Sequence, residues 1–290
     1  MVEHKGIILA GGLGTRLHPV TYALSKQLLP VYDKPMIYYP LSMLMLAGIR
    51  DISVITTSEH QAQFRRLLGD GSQWGISLHF IIQNEPKGLA HALILTENYL
   101  NGASAALVLG DNIFFGHGLP NLITTAAKSN RGATIFGYKV SDPQNYGVVD
   151  FDKNGQVLSV NEKPEIPSSD HAIVGLYFFD GSSPLRAREL NLSHRGELEI
   201  TSLIKSYMDD DILDLKILGR GVAWFDAGKP KSLLDASNFV RTLTERQGMQ
   251  VGSPEEVSFK LGWIDENQLL ENAKALAGTE YGASIEKLLI

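Results

Sequence analysis

The chain has 290 residues, 44% of them hydrophobic and 20% charged, with a formal net charge of −6 and no cysteine. That composition fits a globular protein with a sizeable core and excludes disulfides, thiolate catalysis and cysteine-ligated metals. The acidic balance argues against a general nucleic-acid binder, which needs a basic surface, while leaving room for a local basic pocket. No basic segment with the apolar core of a signal peptide opens the chain, and no apolar run approaches a membrane span. A soluble, cytoplasmic protein with neither nucleic-acid nor membrane partners is therefore expected.

In chain order, "GIILA" (6–10) reads as a buried strand that runs into the glycine cluster "GGLGTR". "MIYYPLSMLMLAG" reads as a helix stopped by Gly48, and "DISVITT" (51–57) as the next strand, followed by a polar helical stretch. "ISLHFIIQ" (76–83), a helix over "GLAHALILTENYL" and the strand "AALVLGD" (105–111) continue the alternation. Short apolar strands separated by helices predict an α/β fold: a Rossmann-like, mostly parallel central sheet with helices on both faces. Ligands of such sheets bind at the carboxyl ends of the strands, here "LAGG", "IIQN" and "LGDN".

From about Ala133 the pattern changes. "ATIFGYKV", "YGVVDFDKNGQVLSVNEKP" and "AIVGLYFFD" predict a smaller antiparallel region with a turn at Lys153-Asn154-Gly155. "GRGVAWFDAG" is a further strand ending in an acid, and roughly 230–290 is mainly amphipathic helix with a turn near Gly252-Ser253-Pro254. One extended α/β unit with a helical C-terminal appendage is the simplest organisation. The apolar residues of 36–46 and of the C-terminal helices suit either ordinary core packing or a subunit contact.

The glycine cluster follows a strand, as phosphate-binding loops do, because such a turn aims backbone N–H groups at an anion. Gly11, Gly12 and Gly14 permit close approach and positive φ. An ATPase loop requires Gly-Lys-Ser/Thr, absent at Thr15-Arg16; a dinucleotide fingerprint requires a third glycine and a long helix, precluded by Pro19. What remains is a glycine turn followed by Arg16, a fixed cation suited to a polyphosphate. Lys26 follows in "LSKQLLPVYDKPMI"; taken alone it would read as a surface lysine. Asp111 and Asp226 each end a predicted strand, where an aspartate can be a cap or turn residue. Together in one cleft they would suit a hard cation such as Mg²⁺ over phosphate oxygens. The histidines show no paired metal-ligand spacing. Gln83 ends the third strand, and its amide can accept and donate at once, as the N3–H and O4 edge of a pyrimidine requires.

The composite Gly-Gly-x-Gly-Thr-Arg-Leu, Lys-x-x-Leu-Pro-Val and Lys-Pro-Met-Ile resembles the sugar-1-phosphate nucleotidyltransferases, and within them the thymidylyltransferase branch. The likeness continues through "QNEPKGLAHAL", "LVLGDNIFFGHGL", "NYGVVDFD", "SVNEKP", "VGLYFFD", "GELEIT" and "WFDAGKP", and so extends over nearly the whole chain. The resemblance implies a nucleotidyltransferase domain over 1–240, with a nucleotide-binding part to about 130 and a sugar-phosphate-binding part after it, then a helical segment over 241–290. It implies Arg16, Lys26, Asp111, Lys163 and Asp226 as catalytic residues, with Asp111 and Asp226 holding Mg²⁺. Leu9, Gly11, Gly12, Gly14, Thr15, Gln83, Pro86 and Gly88 would bind the nucleotide. Asn112, Tyr146, Gly147, Glu162, Lys163, Ile173, Arg195 and Trp224 would bind the sugar phosphate.

The implied substrates are dTTP and glucose 1-phosphate, as the first step toward dTDP-deoxysugars such as dTDP-rhamnose. A homotetramer with a dTDP-sugar feedback inhibitor at a second site is also implied. The chain departs from the common family pattern at Lys87, His91, Leu93, Val174 and Ser202, which loosens the expected choice of thymine over uracil and of sugar. A UTP- or CTP-using relative and a non-catalytic nucleotide-sugar sensor stay as alternatives. Joint retention of Arg16, Lys26, Asp111 and Asp226 speaks against the sensor.

Overall fold

The computed structural model describes residues 4–129 and 131–289. Its strands are, in order, β1 (His4–Leu9), β2 (Pro30–Val31), β3 (Lys34–Pro35), β4 (Asp51–Thr56), β5 (Ser77–Ile82), β6 (Ser104–Leu109) and β7 (Asn112–Gly116). They continue as β8 (Ala133–Lys139), β9 (Gly147–Phe151), β10 (Val157–Glu162), β11 (His171–Phe179), β12 (Leu213–Leu218) and β13 (Val222–Asp226).

β1 lies mid-sheet, parallel to β4 on one side and to β6 on the other, with β5 parallel outside β4. β11 runs antiparallel between β6 and β8, and β12 lies parallel to β8. The β9–β10 hairpin joins the start of β11 through Ala172 and Val148, and β7 pairs antiparallel with β13 in a separate small sheet. The mostly parallel sheet and the smaller antiparallel region match the sequence expectation.

The central parallel strands β1, β4 and β6 are apolar without alternation because both faces are covered. Ile8, Ile52, Val54, Ala106 and Val108 face one core, while Ile7, Leu9, Ile55, Ala105 and Leu107 face the other. The chain winds from β1 outward to β4 and β5, then returns to β6 on the opposite side of β1. That reversal opens a crevice between the carboxyl ends of β1 and β6, the position where open α/β sheets bind ligands.

Some local expectations change. The helix expected over 88–100 is two pieces, His91–Leu95 and Glu97–Leu100, since the buried Thr96 hydroxyl donates to the Ala92 carbonyl at 2.8 Å and disturbs the turn. Asp111 lies just past β6 rather than in it, where pairing passes to the small sheet and Ala227 N–H bonds the Asp111 carbonyl. β12 was not expected: at the sheet edge its apolar residues are only half covered, which weakens the signal. The helix Tyr38–Leu46 is buried on all sides from Tyr38 to Met45, so its apolar residues are core within one chain rather than a free contact face.

The C-terminal stretch forms helices Pro230–Gln247, Pro254–Lys260, Glu266–Ala275 and Glu280–Glu286. Ser253, Asp265 and Thr279 cap the last three by accepting from Glu256, Gln268 and Gly282 N–H. They fold back so that Val257, Ile264, Leu269, Tyr281 and Ile285 share the core of the helix Tyr38–Leu46. Among the described residues no helix is long and apolar enough to cross a membrane.

Candidate active site

A cavity of about 340 Å³ opens at the carboxyl ends of β1, β5 and β6 and is closed on its far side by the β9–β10 hairpin and β13. Leu9, Gly11, Gly12, Arg16, Lys26, Gln83, Pro86, Gly88, Asp111, Asn112 and Asp226 line it from the glycine-loop side. Tyr146, Gly147, Glu162, Lys163, Ile173 and Trp224 line the other side. Gly14, Thr15 and Arg195 lie outside its wall. Gly14 has φ 64°, a left-handed conformation that glycine takes without a Cβ clash, and begins the short 3-10 turn Thr15–Leu17. The Thr21 hydroxyl ties the loop by donating to the Gly14 carbonyl at 2.8 Å.

The acids sit at the cavity floor. Asp226, the last residue of β13, pairs in register with Asn112, so two acids 226 − 111 = 115 residues apart in sequence become neighbours. Asp111 is buried and accepts from the Lys26 ammonium on one oxygen and from Asn112 Nδ2 at 3.2 Å on the other. Burial pushes the Asp111 carboxyl up, but the Lys26 charge and these hydrogen bonds outweigh it and hold the group below the usual carboxylate range.

Asp226 goes the other way. Burial first, then the Asp111 charge, raise it, with Arg16 and Lys26 opposing. The Arg16 guanidinium and the Asp226 carboxylate both approach Gly228, where a Cβ would lie 2.5 Å from Arg16 Nη2 and 2.9 Å from Asp226 Oδ1. Among the described residues no three acids or histidines form a metal cage. Two crowded carboxylates beside the cationic Arg16 and Lys26 would nevertheless suit Mg²⁺, which takes a few carboxylates completed by phosphate and water oxygens. A shared cation would also relieve the repulsion that raises Asp226.

Asn112 is fixed on both sides. Its Oδ1 accepts from Gly175 N–H at 3.1 Å and from Trp224 Nε1 at 2.7 Å. Trp224 in turn meets Tyr146, ring centroids 5.3 Å apart, so the two form an aromatic wall of the cavity. Glu162 is held at both oxygens: Oε1 lies 3.0 Å from Arg195 Nη2, and Oε2 accepts from the Thr201 hydroxyl at 3.1 Å. A carboxylate has about four acceptor sites, so Glu162 retains capacity for two vicinal hydroxyls.

Arg195 stands behind the wall because Glu162, Glu197 and Glu199 surround its guanidinium at 3.0, 3.6 and 2.8 Å. Thr201 and Glu197 also line the cavity and were not singled out from sequence; the segment "GELEIT" containing both was the available signal. On the glycine-loop side, buried Gln83 points its Oε1 at Gly11 and brings its Nε2 to 3.2 Å from His91 Nδ1.

A mostly parallel sheet whose switch point joins a glycine turn, two basic residues and two acids defines a phosphoryl-handling enzyme of the nucleotidyl transferase class. The family model described as nucleotidyl transferase matches residues 5–242, and the chain belongs to that family. The glucose-1-phosphate thymidylyltransferase of Xanthomonas campestris pv. campestris is 53% identical over 288 residues, covering 99% of this chain and 98% of that protein. The enzyme of the same name from Neisseria meningitidis is 50% identical over 285 residues, covering 98% and 99%. A crystal structure from Bacillus anthracis, provisionally described as a glucose-1-phosphate thymidylyltransferase and holding a sucrose, superposes with TM-score 0.75 at 36% identity. It covers 82% of this chain and 95% of that one.

Proposed function

We propose that the chain transfers a thymidylyl group from dTTP to α-D-glucose 1-phosphate, giving dTDP-glucose and pyrophosphate. The observation that carries this reading is the convergence of Arg16, Lys26, Asp111 and Asp226 in one cavity that also contains Gln83 and Glu162. A phosphate oxygen of the sugar attacks the α-phosphorus in line while the bond to the pyrophosphate oxygen breaks. The attacking group is already an anion, so no general base is needed. The difficulty lies in bringing anions together and stabilising charge as it spreads, a task for positioning and electrostatics.

Arg16 and the N–H groups of the glycine turn hold the leaving pyrophosphate. Lys26 neutralises charge near the α-phosphate, and Lys163 positions the attacking phosphate. Glu162 accepts from sugar hydroxyls, while Trp224 and Tyr146 cover the ring. Asp111 and Asp226 would hold Mg²⁺, which supplies further charge neutralisation at the phosphates when bound. Gln83 reads the pyrimidine edge, with Pro86 and Gly88 shaping the base pocket.

The test is pyrophosphate release with glucose 1-phosphate and each of dTTP, UTP and CTP, with and without Mg²⁺. Release dependent on dTTP and Mg²⁺ is expected, and a preference for UTP or CTP would reassign the nucleotide. No release with any of them would favour a sensor. The same reading includes a cytoplasmic homotetramer with a second, inhibitory dTDP-sugar site and a product destined for deoxysugar synthesis. Light scattering that gives a monomer at micromolar concentration rejects the tetramer.

A further inference from the structure

Gln83 is the buried amide at the nucleotide end of the cavity, yet only one end of it is tied by the protein. Nε2 meets His91 Nδ1 at 3.2 Å, while no described residue donates to Oε1, which rests against Gly11 on the cavity wall. An amide NH₂ donates and never accepts, so this contact requires the unprotonated lone pair of Nδ1 and places the imidazole proton on Nε2. His91 itself does not line the cavity; it stands behind Gln83 at the first residue of the helix His91–Leu95.

We infer that His91 is a positioning residue for nucleotide selection: as neutral imidazole it fixes the Gln83 amide so that its carbonyl faces the base. This inference rests on the thymidylyl reading above. A keto pyrimidine presents N3–H between carbonyl oxygens. The amide as held offers Oε1 to accept N3–H and the second Nε2 hydrogen for O4. Protonation of Nδ1 turns that nitrogen into a donor. The amide must then rotate to give His91 its oxygen, and the NH₂ comes to face the base. That arrangement sets N–H against N3–H of thymine, but it suits the bare N3 of cytosine.

The charges facing His91 are those of Lys87 and Glu85 on the preceding loop, themselves paired at 2.9 Å. Burial and then Lys87 hold the imidazole below its usual range, with Glu85 opposing, so the neutral form prevails at neutral pH. The polar contact between Gln83 and His91 is part of the fold without substrate, so it is preorganised for selection.

Two measurements test this. In the free protein, the side-chain ¹H–¹⁵N signals of Gln83, assigned by their loss in Gln83→Leu, should shift along the titration of His91 below neutral pH and stay still in His91→Phe. In turnover, the dTTP to dCTP ratio of kcat/KM should fall about tenfold in His91→Phe, chiefly through the KM for dTTP, as expected for loss of one buried partner. His91→Gln, whose side-chain carbonyl can accept from Gln83, should recover the ratio to within about threefold. The wild-type ratio should also fall on acidification, and that of His91→Phe should not.

A Gln83 amide that ignores the His91 titration overturns the inference, as does an unchanged nucleotide ratio in folded His91→Phe. Failure of the wild type to use dTTP would sink the thymidylyl assignment instead. The amide titration needs no substrate and still decides whether His91 orients Gln83.

Discussion

Asp111 and Asp226 share the cavity floor but differ in proton affinity, and the difference has consequences for both turnover and stability. Asp111 is held low and paired with Lys26; replacing it with Asn removes a charge that Lys26 and any bound cation require. Asp111→Asn should lower turnover by about two orders of magnitude or more, comparable with loss of one major electrostatic element, and Arg16→Ala should do the same. Near-normal turnover in either folded variant would reject the role.

Asp226 binds its proton more tightly in the folded than in the unfolded chain, because burial and the Asp111 charge raise it. Its favourable contribution is therefore present at low pH and lost as pH rises through the folded value, leaving a cost at neutrality. Asp226→Asn removes that cost while Asn Oδ1 can still accept from Gly228 N–H. The variant should melt a few degrees higher at neutral pH, with the gain vanishing on acidification below the ordinary carboxylate range, while turnover falls steeply. Thermal unfolding across that pH range checks the sign. Asp111 behaves oppositely: its contribution is present above the carboxylate range and lost on acidification.

Among the elements, the loop before the helix His91–Leu95 is joined to the distant segment 193–199. Leu198 N–H bonds the Lys87 carbonyl at 2.8 Å, and Ala90 N–H bonds the Leu198 carbonyl at 3.1 Å. Gly88 lies between them with φ 95°, and a Cβ there would fall 2.4 Å from the Leu198 carbonyl oxygen. Gly88→Ala must therefore open this ladder, with an expected cost of about 1–3 kcal/mol. Because the ladder connects the loop carrying Pro86 and Gly88 to the Arg195–Glu162 cluster, KM should rise for both proposed substrates; urea unfolding and two-substrate kinetics report the two effects. A rise for dTTP alone would mean that the loop acts without its partner segment. Lys163 is another marked position, with φ 40° in the turn that follows β10. Lys163→Gly relieves that conformation, so it should lose turnover without a marked loss of stability.

At the scale of the whole molecule, the C-terminal helices complete the core. Tyr281 packs near Tyr38, hydrogen-bonds buried Glu255 and lies 2.8 Å from Ser253 Oγ, while Lys34 lies 4.9 Å from its ring centre. Lys34 is buried, and desolvation lowers its proton affinity, with Asp33 opposing at 2.6 Å. The lysine of "KPMI" therefore serves the junction between the core and the C-terminal helices, away from the cavity. Tyr281→Phe strips Glu255 of a buried donor and should destabilise by about 1–3 kcal/mol, with turnover at permissive temperature unchanged. Calorimetric melting beside steady-state kinetics checks this, and an unchanged melting temperature would mean that Glu255 finds another donor.

By itself the sequence determined the elements whose cause is local. The uniform apolar runs of β1, β4 and β6 mark strands covered on both faces, Gly48 marks a helix end, and the glycine cluster after β1 marks a turn. Asp111 and Asp226 were legible as candidates because each stands at the end of a strand-like run. Only the tertiary structure decided what those residues meet. β13 had to pair with β7 before Asp226 became a neighbour of Asp111, and β10 had to face the segment 193–199 before Arg195 was claimed by three glutamates. The half-covered β12 and the His91 contact behind Gln83 likewise depend on how the elements pack. Backbone preference and apolar periodicity act over a few residues, and a sequence carries them openly. The proton affinities of Asp111 and Asp226 and the partners of Glu162 depend on atoms tens of residues away, and those distances exist only once the sheet has formed.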